Sequence, residues 1–316
     1  MKTYTLSGGQ AMPAVGLGTW KSDPGVVGEA VTGALEAGYR HFDCAPIYGN
    51  EAEIGTALSG TLAAGTVRRE DLWITSKLWN SEHGRDRVIP ALENTLQDLG
   101  LKYLDLYLIH WPVPIRPGIT FPQAPEDFAS LEDQPLADTW AGMEDAVDAG
   151  LVRAIGVSNF SAPRLAALAA GARIPPAVNQ VELHPYLAQS ALLQAARDLG
   201  VRLTAYSPLG SMDRPARLKK ADEPVLLEDP AVTAVAAAHG ATPGQVLIAW
   251  ALARDTAVIP KTSRADRLAE NLAAAQLDLT PADLASLNAL DRGYRYVDGS
   301  FWCIPGSPHT LNNLWG

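Results

Sequence analysis

Cysteine is scarce: Cys44 and Cys303 are the only two in 316 residues. That count supports no disulfide framework, so a reducing, cytoplasmic compartment is expected. Cys44 sits in an apolar run and reads as a buried thiol. Histidine is sparse too. None of the six pairs with another at metal-ligand spacing, so a zinc hydrolase barrel has no support and no metal is expected. Positive charge is in deficit, giving a net charge of −10. Nucleic acid would be repelled over most of such a surface, while a local basic site for a small phosphate stays compatible with it. Long apolar runs are missing, so no membrane partner is expected. The segment Met1-Lys2-Thr3-Tyr4 is not followed by the apolar stretch of a secretory signal. No linker, repeat or low-complexity tract divides the chain, and 1–316 reads as a single domain.

What is present is a full core. Hydrophobic residues make up 47% and charged residues 19%, the profile of a soluble globular protein. Short apolar runs recur at 15–18, 41–44, 72–77, 104–110, 153–159, 177–181, 202–206 and 257–261. Each is apolar enough to be buried on both faces, as parallel strands are. Helical patterns lie between them. Asp23-Pro24 offers a helix start, Val27, Val31, Ala34 and Leu35 share a face, and Gly38 offers a stop. Thr242-Pro243 and Thr280-Pro281 repeat the start signal, and Pro90 is placed near the start of the third helix, where proline is tolerated. Eight strands alternating with helices point to a (β/α)8 TIM barrel, with a doubly wound open sheet as the rival. The rival wants Gly-x-Gly-x-x-Gly after an early strand, and Gly16-Leu17-Gly18-Thr19-Trp20 breaks that pattern at its third glycine. The stretches 112–135, 210–228 and 292–316 fit no barrel element. The first two follow strands four and seven, so they fall on the C-terminal face, where barrel active sites sit.

Polar residues gather at the C-terminal ends of these strands: Asp43, Lys77, His110, Ser158, Asn159, Gln180, Tyr206, Ser207 and Lys261. A barrel brings them to one mouth. Asp43 and Lys77 on adjacent strands can pair, and Tyr48 lies one short loop beyond Asp43. Tyrosine, lysine and histidine in one pocket point to acid–base work on oxygen, with lysine holding the phenol pKa down. Singly these are weak signals: a lone tyrosine is usually packing, and His110 beside Trp111-Pro112 reads equally as a satisfied structural histidine. Their shared position at one end of the strands changes the odds.

Gly38-Tyr39-Arg40-His41-Phe42-Asp43-Cys44-Ala45, followed by Tyr48-Gly49-Asn50-Glu51 and Ile54-Gly55, resembles the first signature of the aldo-keto reductases. Ile259-Pro260-Lys261-Thr262 with Arg267 resembles their cofactor signature. Gly18-Thr19-Trp20-Lys21, Ser76-Lys77-Leu78-Trp79, Leu108-Ile109-His110-Trp111-Pro112, Gly156-Val157-Ser158-Asn159-Phe160 and Tyr206-Ser207-Pro208-Leu209-Gly210-Ser211 follow in order. The resemblance runs from about Tyr4 to about Arg292 and is closest to the aldose and aldehyde reductase branch. It implies a barrel with a short N-terminal β-hairpin and a monomer that reduces a small-molecule carbonyl with NADPH. Tyr48 would be the proton donor, Lys77 with Asp43 would lower the Tyr48 pKa, and a neutral His110 would orient the carbonyl. Ser158, Asn159 and Gln180 would bind the nicotinamide carboxamide, and Tyr206 would stack on the ring. Thr19, Trp20, Lys21, Asp43, Ser207, Leu209, Ser211 and Asp213 would line the cofactor, with Asp213 reaching Lys21 and Lys261 across the pyrophosphate. Lys261, Thr262, Ser263, Arg264, Arg267, Glu270 and Asn271 would hold the adenosine end. The cations Lys261, Arg264 and Arg267 at a helix N-terminus make sense if they hold an anion; the resemblance implies that this anion is the adenosine 2′-phosphate, which favours NADPH over NADH.

The substrate pocket implied is Trp20, Tyr48, Trp79, His110, Trp111, Phe121 and Trp302. Where the mammalian aldose reductases carry a tryptophan after Asp-Arg-Pro, this chain reads Asp213-Arg214-Pro215-Ala216, which opens one wall. The tail 292–316 is closer to bacterial and cyanobacterial members. A cofactor-binding or lens-type structural role on the same fold is the alternative, against which the intact set of four residues argues.

Overall fold

The computed structural model describes residues 2–316 apart from Leu131 and Asp133, both within the stretch 112–135. Eight parallel strands follow one another around a single sheet: β3 (Leu17–Gly18), β4 (His41–Asp43), β5 (Trp73–Leu78), β6 (Leu104–Ile109), β7 (Val152–Ser158), β8 (Val178–Glu182), β9 (Arg202–Tyr206) and β10 (Ala257–Val258). Parallel bridges Val15↔Val258 and Gly18↔Lys261 join the last strand to the first and close the (β/α)8 barrel. Gly18 is required at this seam, because a Cβ there would sit 2.7 Å from the Ile259 carbonyl oxygen. β5, β6 and β8 are buried throughout, as their continuous apolar runs require. A hairpin of β1 (Thr3–Thr5) and β2 (Ala11–Pro13) lies at the N-terminal end, where the Pro13 carbonyl meets His41 Nδ1 at 3.0 Å.

Helices α1 (Val27–Ala37), α2 (Glu51–Ala63), α3 (Arg85–Leu99), α4 (Leu136–Asp148), α5 (Ala162–Gly171) and α6 (Ser190–Asp198) each link successive strands. Two helices, α7 (Pro230–His239) and α8 (Pro243–Ala253), lie between β9 and β10, and α9 (Ala265–Ala273) completes the ring against α1. The stripe Val27, Val31, Ala34 and Leu35 is buried, and Gly38 caps α1 at φ 103°. The start of α1 differs from the sequence expectation: Val26 is its N-cap, and Asp23 and Pro24 belong to a preceding turn. Pro90 stands inside α3 without ending it, since Val88, Leu92, Leu96 and Leu99 bury one face of that helix and offset the lost backbone bond. Both Thr-Pro starts form capping boxes, Thr242 with Gln245 on α8 and Thr280 with Asp283 on α10 (Pro281–Asn288). The segments 210–228 and 292–316 contain only short helical turns and the terminal α11 (Leu311–Trp315). Among the described residues, no helix is long and apolar enough to cross a membrane.

Candidate active site

The ends of β4 and β5 place two opposite charges in a fully enclosed layer. Lys77 Nζ donates to Asp43 Oδ1 at 2.5 Å, to the Cys44 carbonyl at 2.9 Å and to Tyr48 Oη at 3.3 Å. Those three bonds use all three ammonium protons. Lys77 is 0% exposed and Asp43 2% exposed. Burial alone would pull the Lys77 ammonium down; Asp43 and Tyr48 outweigh it and hold its pKa above the usual lysine value. Tyr48 departs from expectation. Burial pushes its phenol up to about 12, and the lowering by Lys77 is present but smaller. His110 faces the same space, its ring 5.9 Å from that of Tyr48. Burial first, then Lys77, drives its pKa well below the ordinary histidine value, so the ring is neutral. Its Nδ1 is enclosed without a hydrogen-bond partner.

Around this centre the ends of β7, β8 and β9 form a hydrogen-bonded floor. Ser158 Oγ donates to the Gln180 carbonyl at 2.8 Å, and Gln180 Nε2 donates to Asp43 Oδ2 at 2.6 Å. Asn159, in the left-handed region at φ 63°, donates to the His110 carbonyl at 2.9 Å and accepts from Tyr206 Oη at 2.8 Å. All four side chains line one cavity of about 1140 Å³. The cavity continues as a cleft past Thr19, Trp20, Lys21, Ser207, Leu209, Ser211 and Asp213 to Lys261, Thr262, Ser263, Arg264 and Arg267. Asp213 bridges the cleft, 2.5 Å from Lys21 Nζ and 3.5 Å from Lys261 Nζ. Lys21 also reaches Ser211 Oγ at 2.9 Å. Burial would raise the Asp213 carboxyl, yet Lys21 and Lys261 bring it below the usual carboxylate range. Lys21 is lowered by burial and by the neighbouring Lys261 and Arg214, in spite of Asp213. This edge of the cleft is therefore short of negative charge, as a site for a diphosphate should be. Beyond it, Arg264 pairs with Asp266 at 2.5 Å, whereas Arg267 has no ion-pair partner among the described residues. The N-cap of α9 makes no side-chain cap bond, which leaves that helix end open to an anion. The cleft's size, its free cations and its helix terminus fit a phosphorylated dinucleotide.

The sequence model of the Aldo/keto reductase family matches residues 14–292. The chain belongs to the aldo/keto reductase family. An aldo/keto reductase of Synechocystis sp. is 57% identical over 315 residues, covering 100% of this chain and 96% of the relative. Aldo-keto reductase family 1 member A1 of Homo sapiens is 46% identical over 294 residues, covering 92% and 90%. The structure of the aldose reductase from Schistosoma japonicum superposes with a TM-score of 0.87 at 41% identity, covering 95% of this chain and 96% of that one.

Around Tyr48 the cavity of this aldo/keto reductase is walled by Trp20, Trp79, His110 and Trp111, with the exposed Phe121 at its edge, all anticipated from sequence. Three other expected residues do not line the cavity. Trp302 is 0% exposed and stands one layer behind the wall, 5.9 Å from Trp79 and 6.0 Å from Trp111. The tail instead presents Val297, Phe301 and Ile304 to the cavity. Glu270 lies off the cavity, its carboxylate accepting from Thr242 Oγ1 at 2.5 Å where α9 meets α8. Asn271 is likewise buried away from the cleft. Sequence reasoning missed the tail residues and Arg217, a cation on the cavity wall. It also missed Glu182, wholly buried, which accepts the Tyr296 and Val297 N–H groups at 2.7 and 2.8 Å and so anchors the tail. Its only signal was an acid closing an otherwise uncharged buried strand.

Proposed function

We propose that this aldo/keto reductase is an NADPH-dependent carbonyl reductase converting aldehydes, and some ketones, to alcohols with Tyr48 as proton donor. The observation that carries this is the saturation of Lys77. An ammonium has no lone pair, so in the Lys77–Tyr48 contact the phenol oxygen accepts. The phenolic proton is left free to point into the cavity. A phenol pushed up to about 12 keeps that proton at neutral pH, as a donor for reduction must. His110 has no acceptor at Nδ1, so its proton belongs on Nε2, where a substrate carbonyl can accept it. A carbonyl held by His110 and Tyr48 takes the Tyr48 proton as its oxygen gains charge, and the phenolate left behind is held by Lys77.

Reduced nicotinamide, bound in the cleft, supplies the hydride. Ser158, Asn159 and Gln180 would hold its carboxamide and Tyr206 its ring. Thr19, Trp20, Lys21, Ser207, Leu209, Ser211, Asp213 and Lys261 would line its diphosphate, with Thr262, Ser263, Arg264 and Arg267 at the adenosine 2′-phosphate. Five indole, phenyl and alkyl groups lining the cavity, Trp79, Trp111, Phe121, Phe301 and Ile304, favour aromatic and medium-chain aldehydes over open-chain sugars. The same reading takes the protein to be a cytoplasmic monomer. Oxidation of NADPH in the presence of an aromatic aldehyde, followed by absorbance, tests it. Wild type should turn over and Tyr48→Phe should lose about 10²–10⁴-fold while still binding NADPH. Turnover by Tyr48→Phe near the wild-type rate overturns the assignment, and an inactive wild type returns the structural-protein reading.

A further inference from the structure

Tyr48 and Lys77 meet at 3.3 Å, yet they come from separate segments. Lys77 is part of β5, whereas Tyr48 ends a three-residue helical turn, Pro46–Tyr48. The turn's own backbone bonds, Tyr48 N–H to Ala45 and Gly49 N–H to Pro46, shape it without tying it to β5. Cys44 N–H to the Thr75 carbonyl at 2.8 Å ties the entry of the turn to β5, and a second tie is made on its far side, three residues after Tyr48. Glu51, the first residue of α2, accepts from Ser76 Oγ at 2.6 Å, and Ser76 directly precedes Lys77. Glu51 is 3% exposed and Ser76 0% exposed. Asn50 fastens the same junction to the Thr19 carbonyl at 3.0 Å. A carboxyl group buried between sheet and helices is unfavourable unless it is hydrogen-bonded: burial pushes the Glu51 carboxyl up to about 7, with Ser76 and then Thr95 opposing that shift.

We infer that Glu51 is a positioning residue which, through Ser76, sets the distance between the Tyr48 phenol and the Lys77 ammonium. The inference rests on the reading of Tyr48 as proton donor. Misplacing a reacting group by about 1 Å lowers rates by about 10²-fold. Glu51→Ala and Ser76→Ala should each therefore lower kcat about 10- to 100-fold, with KM and NADPH affinity nearly unchanged. The double variant should be no slower than the singles, because one bond is being removed twice. Glu51→Gln keeps an acceptor for the Ser76 hydroxyl and should retain most of kcat. Aldehyde reduction, NADPH binding by fluorescence and melting temperature are measured for all four variants. Folded Glu51→Ala and Ser76→Ala proteins with wild-type kcat overturn the proposal, as do additive losses or a change confined to KM. If Glu51→Ala does not fold, Ser76→Ala and Glu51→Gln decide by the same criteria. A wild type that binds NADPH but reduces no aldehyde overturns the proposed function, and the positioning role with it. An active wild type with unaffected variants overturns the positioning role alone.

Discussion

Removing the Asp213 carboxylate should open the cofactor cleft. Asp213 touches Lys21 at 2.5 Å and Lys261 at 3.5 Å, joining the loop after β9 to the ends of β3 and β10. Its side chain is 53% exposed, so the longer contact is worth a few tenths of a kcal/mol at most. The Lys21 side chain is only 12% exposed, and the shorter contact carries most of the effect. Together they amount to about 1–1.5 kcal/mol once solvent screening is discounted, or about a 5- to 10-fold change in a rate or affinity. Asp213→Ala should speed NADP⁺ release by that factor in stopped-flow fluorescence while association changes little. Where release limits turnover, kcat rises. Added salt should accelerate release from wild type more than from the variant, because the contact it screens is already gone. A release rate unchanged within about twofold would refute the reasoning and leave Asp213 an ordinary loop carboxylate.

Arg267 has no ion-pair partner among the described residues, so Arg267→Ala should weaken NADPH binding about 10- to 100-fold and leave NADH binding nearly unchanged; equal losses for both would remove Arg267 from the 2′-phosphate site. Reduction requires the Tyr48 proton, which burial holds to about 12, so the reduction rate should stay flat from neutral to about pH 11 and fall toward pH 12, while alcohol oxidation rises; profiles moving together would contradict the role. His83 is fully enclosed with both ring nitrogens unpartnered, and burial lowers its pKa from 6.5 to about 3. As pH falls through that window the unfolded chain takes up a proton that the folded one refuses, so stability drops by about 1.4 kcal/mol per pH unit from this histidine. Denaturant titrations of wild type and His83→Gln between pH 7 and about 4 should give a shallower slope for the variant, and parallel slopes would count against a neutral buried His83.

The residues that bear the proposed chemistry were legible because they sit at the ends of strands. Asp43, Lys77, His110, Asn159 and Gln180 are each fixed by a short apolar run whose register the alternation of the chain specifies, and barrel closure does the rest. The cavity wall was less legible. Trp302 and Phe301 are neighbours in an irregular segment, and nothing local decides which ring faces the cavity. That depends on how Trp79 and Trp111 have already filled the space and on Glu182 gripping Tyr296 and Val297 from more than a hundred positions away. Glu270 reads as a cofactor contact by its place in a signature, but its partner, Thr242, comes from the preceding helix. In α1 the Asp23-Pro24 signal was real and marked a turn, because the first buried position of the stripe is Val27.

The same contrast holds for charge. The chain's balance of −10 describes the surface, and alone it argues against an extended polyanion. The cleft inverts it: Lys21, Arg217, Lys261, Arg264 and Arg267 line the cavity, with Asp43 and Asp213 as the acids. Both acids are engaged, Asp43 by Lys77 and Gln180, and Asp213 by the two lysines it bridges. A narrow positive cleft in an otherwise negative protein focuses the field, drawing an anion of limited size toward one place and repelling extended polyanions elsewhere. Composition alone therefore argues against nucleic acid and says nothing against a dinucleotide. Only the clustering of cations around the start of α9, which the order of residues after β10 already contained, separates the two cases.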